Sequence, residues 1–471
     1  MIFSSTLFIF LFLPIVLTVH FLIAQKYRNF FILIASLFFY AWGEQILVLL
    51  MMGSICINYI VGNIISEFQK KGWDSKAKIA LVVGVTANLS LLGYYKYINF
   101  LLECLSQIGL NLNIDASGVE LPIGISFFTF QSISYLIDVH RKTVAGQRSL
   151  INLGMYISLF PQLIAGPIVR YADISREIEN RKISSPLFQE GITRFIGGFA
   201  KKVLIANNVG LIADNVFAVP TGELSTSLSW IGIICYTLQI YYDFSGYSDM
   251  AIGLGKMFGF NFKENFEHPY ISTSIREFWR RWHISLSSWF KDYLYIPLGG
   301  NRKGEYRTYV NLIIVFFLTG LWHGASWNFV VWGLYHGVFL IIERFNILKL
   351  PSRMNILSRV YTLLVVIVGW VFFRSEDLSS SVHYIGKMFS FSHGTDNYPY
   401  LLINNYTITI LLVGIVFAMP LRKYIEERLG VLIKNRTIFN VLKQSFCILI
   451  FILSIMELAQ STYNPFIYFR F

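Results

Sequence analysis

Val310-Asn311-Leu312-Ile313-Ile314-Val315-Phe316-Phe317-Leu318-Thr319-Gly320-Leu321 contains no ionisable side chain, and Trp322-His323-Gly324 follows it directly. Histidine is costly in hydrocarbon, so one placed here faces a protein interior or a water-filled cavity. A second pair, Trp282-His283, lies forty positions upstream in the most charge-dense part of the chain. Together they point to a membrane enzyme with an imidazole at depth and a charged or carrier-bound substrate nearby.

Composition sets the class. Of 471 residues, 55% are hydrophobic and 14% charged, and the mean hydropathy is +0.55. Soluble domains carry about 25% charged residues, so lipid is the expected solvent. The length suits one membrane-embedded domain over 1–471: N-terminal spans to 120, a motif-bearing core over 121–345, and C-terminal spans beyond. The net charge of +12 sits mainly between apolar runs, as the cytoplasmic-loop bias of Lys and Arg requires. No basic helix or RNA-binding aromatic signature accompanies it, which argues against nucleic acid as a partner. Cys56, Cys104, Cys235 and Cys447 are far apart and lack metal-binding spacing, so they read as small core residues.

The run Met1 to Ala24 lacks a basic n-region and a cleavage site, and reads as a retained first transmembrane helix. Two apolar segments, Phe30 to Trp42 and Gln45 to Ile65, are broken at Gly43-Glu44. Another span runs from Ile79 to about Leu102. Leu121 to Leu136 is dotted with Ser126, Thr129, Gln131, Ser132 and Ser134, which suits a helix facing protein or a re-entrant element. Pro161, Gly166 and Pro167 predict a broken helix within Ile151 to Val169. Arg194, Lys201 and Lys202 alternate with apolar residues over Gly191 to Phe217, the pattern of an interfacial amphipathic helix. The polar segment from Asn261 to Arg307 is too long for an idle linker. Further apolar stretches at Trp230 to Tyr242, Val310 to Leu321, Trp327 to Ile342, Val360 to Phe373, Ile408 to Met419 and Cys447 to Met456 bring the expected membrane segments to roughly ten to twelve.

His323 is the leading candidate for a general base. Acyl transfer to a hydroxyl needs a group that takes the hydroxyl proton, and a neutral imidazole suits that task. Gly320 and Gly324 would let substrate approach the backbone. The alternative is a helix-packing histidine. His336 either lines the same cavity or bridges two helices. His283 reads equally as a second catalytic histidine, a substrate-binding group or an interfacial residue. Arg276, Arg280, Arg281, Lys291, Arg302 and Lys303 offer a phosphate-attracting cluster or an ordinary positive-inside loop, with Glu277 and Asp292 as internal partners. Asp243 and Asp249 either orient a histidine, bind a loop through backbone amides, or are solvated at a helix end. There is no G-x-S-x-G elbow, H-E-x-x-H motif or P-loop.

With these residues in place, the chain resembles the membrane-bound O-acyltransferase family. The likeness runs through Leu121-Pro122-Ile123-Gly124-Ile125-Ser126-Phe127-Phe128-Thr129-Phe130-Gln131 and Gln162-Leu163-Ile164-Ala165-Gly166-Pro167-Ile168-Val169-Arg170. It continues through Tyr242-Asp243-Phe244-Ser245-Gly246-Tyr247-Ser248-Asp249-Met250-Ala251, Phe278-Trp279-Arg280-Arg281-Trp282-His283-Ile284-Ser285-Leu286-Ser287 and Tyr295-Ile296-Pro297-Leu298-Gly299-Gly300-Asn301-Arg302. Leu321-Trp322-His323-Gly324-Ala325 and the C-terminal Phe466-Ile467-Tyr468-Phe469-Arg470-Phe471 complete it, although a glutamine is more familiar than Arg470.

The resemblance implies an all-α polytopic membrane protein with re-entrant or interfacial helices and a central tunnel, in the bacterial cytoplasmic (inner) membrane. It implies that His323 is catalytic and that His283 is the second family histidine. Trp322, Asp243, Ser245, Asp249, Arg280, Arg281, Trp282, Asn301 and His336 are then the expected substrate-binding residues, with no metal. It further implies an acyl thioester donor, acetyl-CoA or an acyl carrier protein, used as substrate with no bound cofactor. The expected acceptor is an exported polysaccharide, alginate-like or other, reached through a periplasmic or cell-surface acetyltransferase partner. D-alanyl transfer to teichoic acid from a carrier protein is the alternative within the family. A non-enzymatic transporter or flippase is the alternative outside it.

Overall fold

The computed structural model describes residues 2–467 apart from 113, 117, 221, 346–354, 392–403, 422, 423, 426, 427, 429–432, 434 and 462. Every regular element among the described residues is helical, so the chain is an all-α membrane protein. It forms two compact units: Met1–Ile192 with Met250–Lys263, and Thr193–Asp249 with Glu264–Phe471.

In the first unit a π-helical turn, Phe8–Phe12, leads into α1 (Leu13–Leu22). Helices α2 (Arg28–Glu44) and α3 (Val48–Lys70) are separated at Gln45, whose φ is 46°. This is the break that Gly43-Glu44 predicts. The Glu44 carboxylate accepts a hydrogen bond from the Ile123 amide at 3.0 Å, which ties the break to the start of the next buried helix. Helix α4 (Asp74–Leu92) passes through a π-helical turn into α5 (Ile98–Gln107). Buried Asn58 and Asn88 exchange side-chain hydrogen bonds of 3.1 and 2.8 Å between α3 and α4, the polar fastening that apolar surroundings favour. Helix α6 (Ile125–His140) is buried over nearly its whole length, including its serines, Thr129 and Gln131; it faces protein, as its polar dotting predicts. The predicted break follows, with α7 (Leu150–Ser158) and α8 (Phe160–Leu163) parted at Leu159. Helix α9 spans Tyr171–Asn180.

One expectation changes. Helix α10 (Ser185–Ala200) runs through a π-helical turn, Lys201–Ala206, into α11 (Asn207–Phe217). The whole run has 33 residues and is long and apolar enough to cross a membrane. Its basic residues do not form an interfacial face. Arg194 and Lys201 both pair with Asp249, at 2.6 Å each, and Lys202 pairs with Asp243 at 2.7 Å. Four other runs pass the same test, Gln25–Lys70, Asp74–Gln107, Asn355–Arg374 and Thr437–Gln460, with Phe8–Leu22 and Asn405–Phe417 as shorter apolar helices.

The second unit is built along α12 (Thr226–Met257) as far as Asp249. At 32 residues the whole helix is about 48 Å long, and it is buried along most of its length. After it come α13 (Ile275–Arg281), α14 (Ile284–Phe290), α15 (Glu305–His323), α16 (Trp327–Arg344), α17 (Asn355–Arg374), α18 (Leu378–Phe389), α19 (Asn405–Phe417) and α20 (Arg436–Gln460). Residues 465–467 are gripped by α12 and the α10–α11 run: the Ile467 amide donates to Asp243 at 2.8 Å, Lys202 donates to the Pro465 carbonyl, and Phe466 packs 4.7 Å from Tyr247. The rest of the C-terminal motif, 468–471, lies outside the described residues.

Candidate active site

The apolar run that ends in Trp322-His323 is helix α15, and His323 is its last residue. Glycine sets how closely α16 crosses it. A Cβ on Gly320 would stand 2.2 Å from the Phe329 carbonyl oxygen, and one on Gly333 would stand 2.2 Å from the Phe316 carbonyl oxygen. These are backbone contacts that only glycine permits. A Cβ on Gly324 would lie 2.1 Å from the Phe329 ring. Gly320 and Gly324 therefore admit α16 itself, not the substrate that the sequence suggested.

His323 is 2% exposed. Its ring is met nearly edge to face by Trp332 at 4.9 Å, by Trp322 at 5.0 Å and by Phe373 of α17 at 5.2 Å. His336, fully buried on α16, also lies against Trp332, at 5.3 Å, and against Trp279 at 5.2 Å. Neither of its ring nitrogens has a hydrogen-bond partner among the described residues. Its Nε2 stands 2.8 Å from where Gly369 would carry a Cβ. His336 thus packs between α13, α16 and α17.

His283 lies 6.4 Å from His323, ring centre to ring centre, with Trp322 close to both. It occupies the junction of α13 and α14 in the left-handed backbone region, with φ 43° and ψ 55°. A non-glycine residue there is strained by about 1–2 kcal/mol. Asn265 holds it in place. The Asn265 carbonyl accepts from the Ile284 amide at 2.9 Å, and its Oδ1 accepts from the Ser285 amide at 3.1 Å. A backbone N–H can only donate, so that contact fixes which atom of the Asn265 amide is oxygen. The same oxygen lies 3.1 Å from His283 Nδ1. His283 therefore carries its proton on Nδ1 and keeps a lone pair on Nε2, which is buried without a hydrogen-bond partner among the described residues. Asn265 is anchored in turn by donating to Ser248 of α12 at 3.1 Å. Burial pushes the His283 pKa down to about 3, so the ring is neutral at physiological pH.

The other predicted residues divide. Trp322 belongs to the histidine cluster. Trp282 is fully buried but packs into an aromatic core, 4.8 Å from Trp370 and 5.0 Å from Phe266. Asp243 and Asp249 are buried, not solvated. Each is engaged with the cations of the α10–α11 run, and Asp243 binds the chain end through a backbone amide. Ser245 is buried as well, its hydroxyl without a hydrogen-bond partner among the described residues. Arg281 pairs with Glu277 at 3.0 Å and donates to the Glu267 carbonyl. Arg280 and Asn301 are exposed, and no ring contact or hydrogen bond among the described residues joins them to the histidines. Arg276, Lys291, Arg302 and Lys303 are exposed too.

Sequence reasoning missed Asn265 and Glu343, and gave Ser285 no role. The Glu343 carboxylate, at the end of α16, accepts the Ile275 and Arg276 amides at 2.6 and 3.1 Å and so docks the N-terminus of α13. Asn265 lies 18 positions from His283 and belongs to no motif. The only signal was the unusual length of the polar segment around it.

A family model described as MBOAT, membrane-bound O-acyltransferase family, matches residues 37–374. The chain is 42% identical to a probable alginate O-acetylase of Pseudomonas putida, with 100% of both chains covered. It is 36% identical to a peptidoglycan O-acetyltransferase of Helicobacter pylori over 82% of this chain and 80% of the relative. A teichoic acid D-alanyltransferase of Bacillus subtilis is 30% identical over 54% of this chain and 69% of its own.

Proposed function

The chain belongs to the membrane-bound O-acyltransferase family, and from that premise we propose that it moves acetyl groups from a cytoplasmic thioester donor across the membrane for O-acetylation of an exported polysaccharide. The observation that carries this reading is the pair of buried imidazoles, His323 and His283, 6.4 Å apart in one aromatic shell. The relatives named for O-acetylation match 82% or more of this chain, against 54% for the one named for D-alanylation, which favours acetyl as the group carried.

The reaction exchanges a thioester for an oxygen ester. A hydroxyl oxygen bonds to the acyl carbon, the carbon–sulfur bond breaks, and the sulfur leaves as thiolate. His323 takes the hydroxyl proton and returns it to the thiolate, so no proton is gained or lost overall. His283 acts beside it as a neutral acceptor, its Nε2 lone pair orienting the hydroxyl. The aromatic shell limits water, which would otherwise compete for the acyl group. The donor, acetyl-CoA or an acyl carrier protein, is a substrate. A periplasmic or cell-surface acetyltransferase completes delivery to the sugar hydroxyls, and the enzyme works in the bacterial inner membrane.

The test replaces His323 with alanine in the producing cell. Polymer O-acetylation is expected to fall by about 10²-fold or more at unchanged protein abundance. Intact acylation would reject the catalytic assignment in favour of a transporter. Loss of polymer-bound D-alanine, with acetyl untouched, would replace the acetyl reading with the teichoic acid one.

A further inference from the structure

The first unit holds a basic cluster that acyl transfer does not use. Arg181, which follows α9, is 8% exposed. Its Nη1 donates to Oδ1 of Asn29, the second residue of α2, so the guanidinium stands at the first turn of that helix. Asn29 cannot turn away, because its Nδ2 donates to Asn152 Oδ1 and to the Ile178 carbonyl, both at 2.8 Å. Nε and Nη2 of Arg181 are buried with no acceptor among the described residues. The same holds for Nε of Arg28, the first residue of α2, and for both ring nitrogens of fully buried His20 on α1.

One turn floors the cluster. Phe258 packs 5.1 Å from His20, and Phe260 lies 4.9 Å beneath the Arg181 guanidinium. That turn closes on itself: the Phe260 amide bonds to the Gly255 carbonyl at 2.8 Å, and the Gly259 amide to the Lys256 carbonyl at 3.1 Å. Arg181 donates to neither carbonyl. The first turn of α2 contains no acidic residue and has no side-chain cap, and no carboxylate pairs with Arg28 or Arg181 among the described residues. Burial, and then the charge of Arg28, pull the Arg181 pKa down to about 10. Buried guanidinium donors facing a second cation are unfavourable unless an anion shares the space.

We propose that His20, Arg28 and Arg181 form, at the N-terminus of α2, a binding site for a phosphate group. Forked guanidinium N–H groups match phosphate oxygens, and the helix terminus adds positive potential. The phosphate belongs either to an anionic phospholipid headgroup or to a soluble ligand. Exposed Leu22 and Phe30 beside the cluster suit the lipid.

The test measures melting of the purified full-length protein in detergent as phosphatidylglycerol, diacylglycerol or inorganic phosphate is added. Phosphatidylglycerol should raise the melting temperature and phosphate-free diacylglycerol should not. Arg181→Gln and Arg28→Gln should each weaken the effect at least about tenfold. A shift with inorganic phosphate alone, lost in the same variants, would assign the soluble source. Arg28 is only part-buried, so Arg28→Gln decides the matter if Arg181→Gln does not fold. Equal shifts with diacylglycerol, no shift with either phosphate probe, or unchanged binding in the folded variants would overturn the site.

Discussion

His283 shows how much of this site rests on single side chains. Asn265 both holds the strained backbone of His283 and sets its tautomer. Asn265→Asp puts a negative charge on Nδ1–H and favours the imidazolium. The acidic limb of the acyl-transfer pH profile should then move to higher pH, because a protonated ring has no lone pair to offer. An unmoved limb with normal folding would reduce Asn265 to a packing role. Stability should respond as well. His283 stays neutral down to about pH 3 when folded but takes up a proton near its usual 6.5 when unfolded. Its contribution is neutral above that pH and becomes increasingly destabilising as pH falls from about 6.5 toward 3. His283→Gln should flatten that part of the curve in detergent unfolding experiments. Both histidines stood out in the sequence because each follows a tryptophan beside apolar or charge-dense surroundings. Asn265 did not, since a loop residue that acts on another 18 positions away leaves no periodic trace.

At the scale of elements, one contact sets the surroundings of His323 and another ties the α10–α11 run to α12. The crossing of α15 and α16 is set by Gly320 and Gly333, so Gly333→Leu must separate the helices. It should cost about 1–3 kcal/mol or more and lower activity by displacing Trp332 from His323. Normal melting and normal turnover in that variant would contradict the crossing. The second contact is the Lys202–Asp243 pair, with side chains 3% and 2% exposed. Asp243→Asn leaves a buried lysine without its counter-ion, at an expected cost of about 3–5 kcal/mol, measurable as a lower denaturation midpoint. Pairing it with Lys202→Met should recover much of the loss. This contact also explains why 191–217 was misread. Alternating charges look interfacial in one dimension, and nothing local reveals that their partners sit on a helix about 40 to 55 residues later. The breaks at Gly43-Glu44 and near Pro161, by contrast, were legible, because glycine and proline act on the backbone where they stand.

For the whole molecule, hydropathy was enough to predict a membrane protein, and the family resemblance carried by the ordered motifs implied an all-α acyltransferase. The motif stretches are distributed over both units, yet the histidines, Trp322 and the aspartates all lie in the second. Sequence order alone could not separate residues that meet His323, such as Trp332 and Phe373, from Arg280 and Asn301, which lie at the surface, because that division depends on how α13 to α17 pack. On the proposed reading, His323 moves the proton in acyl transfer. The most direct measurement supplies radiolabelled acetyl thioester to vesicles holding the purified protein, with the partner acetyltransferase and a polysaccharide acceptor on the opposite face, and follows label reaching the polysaccharide, for wild type and for a folded His323→Ala variant. Wild-type protein should transfer label and the variant should lose about 10²-fold or more; undiminished transfer by the variant would show that His323 does not move the proton.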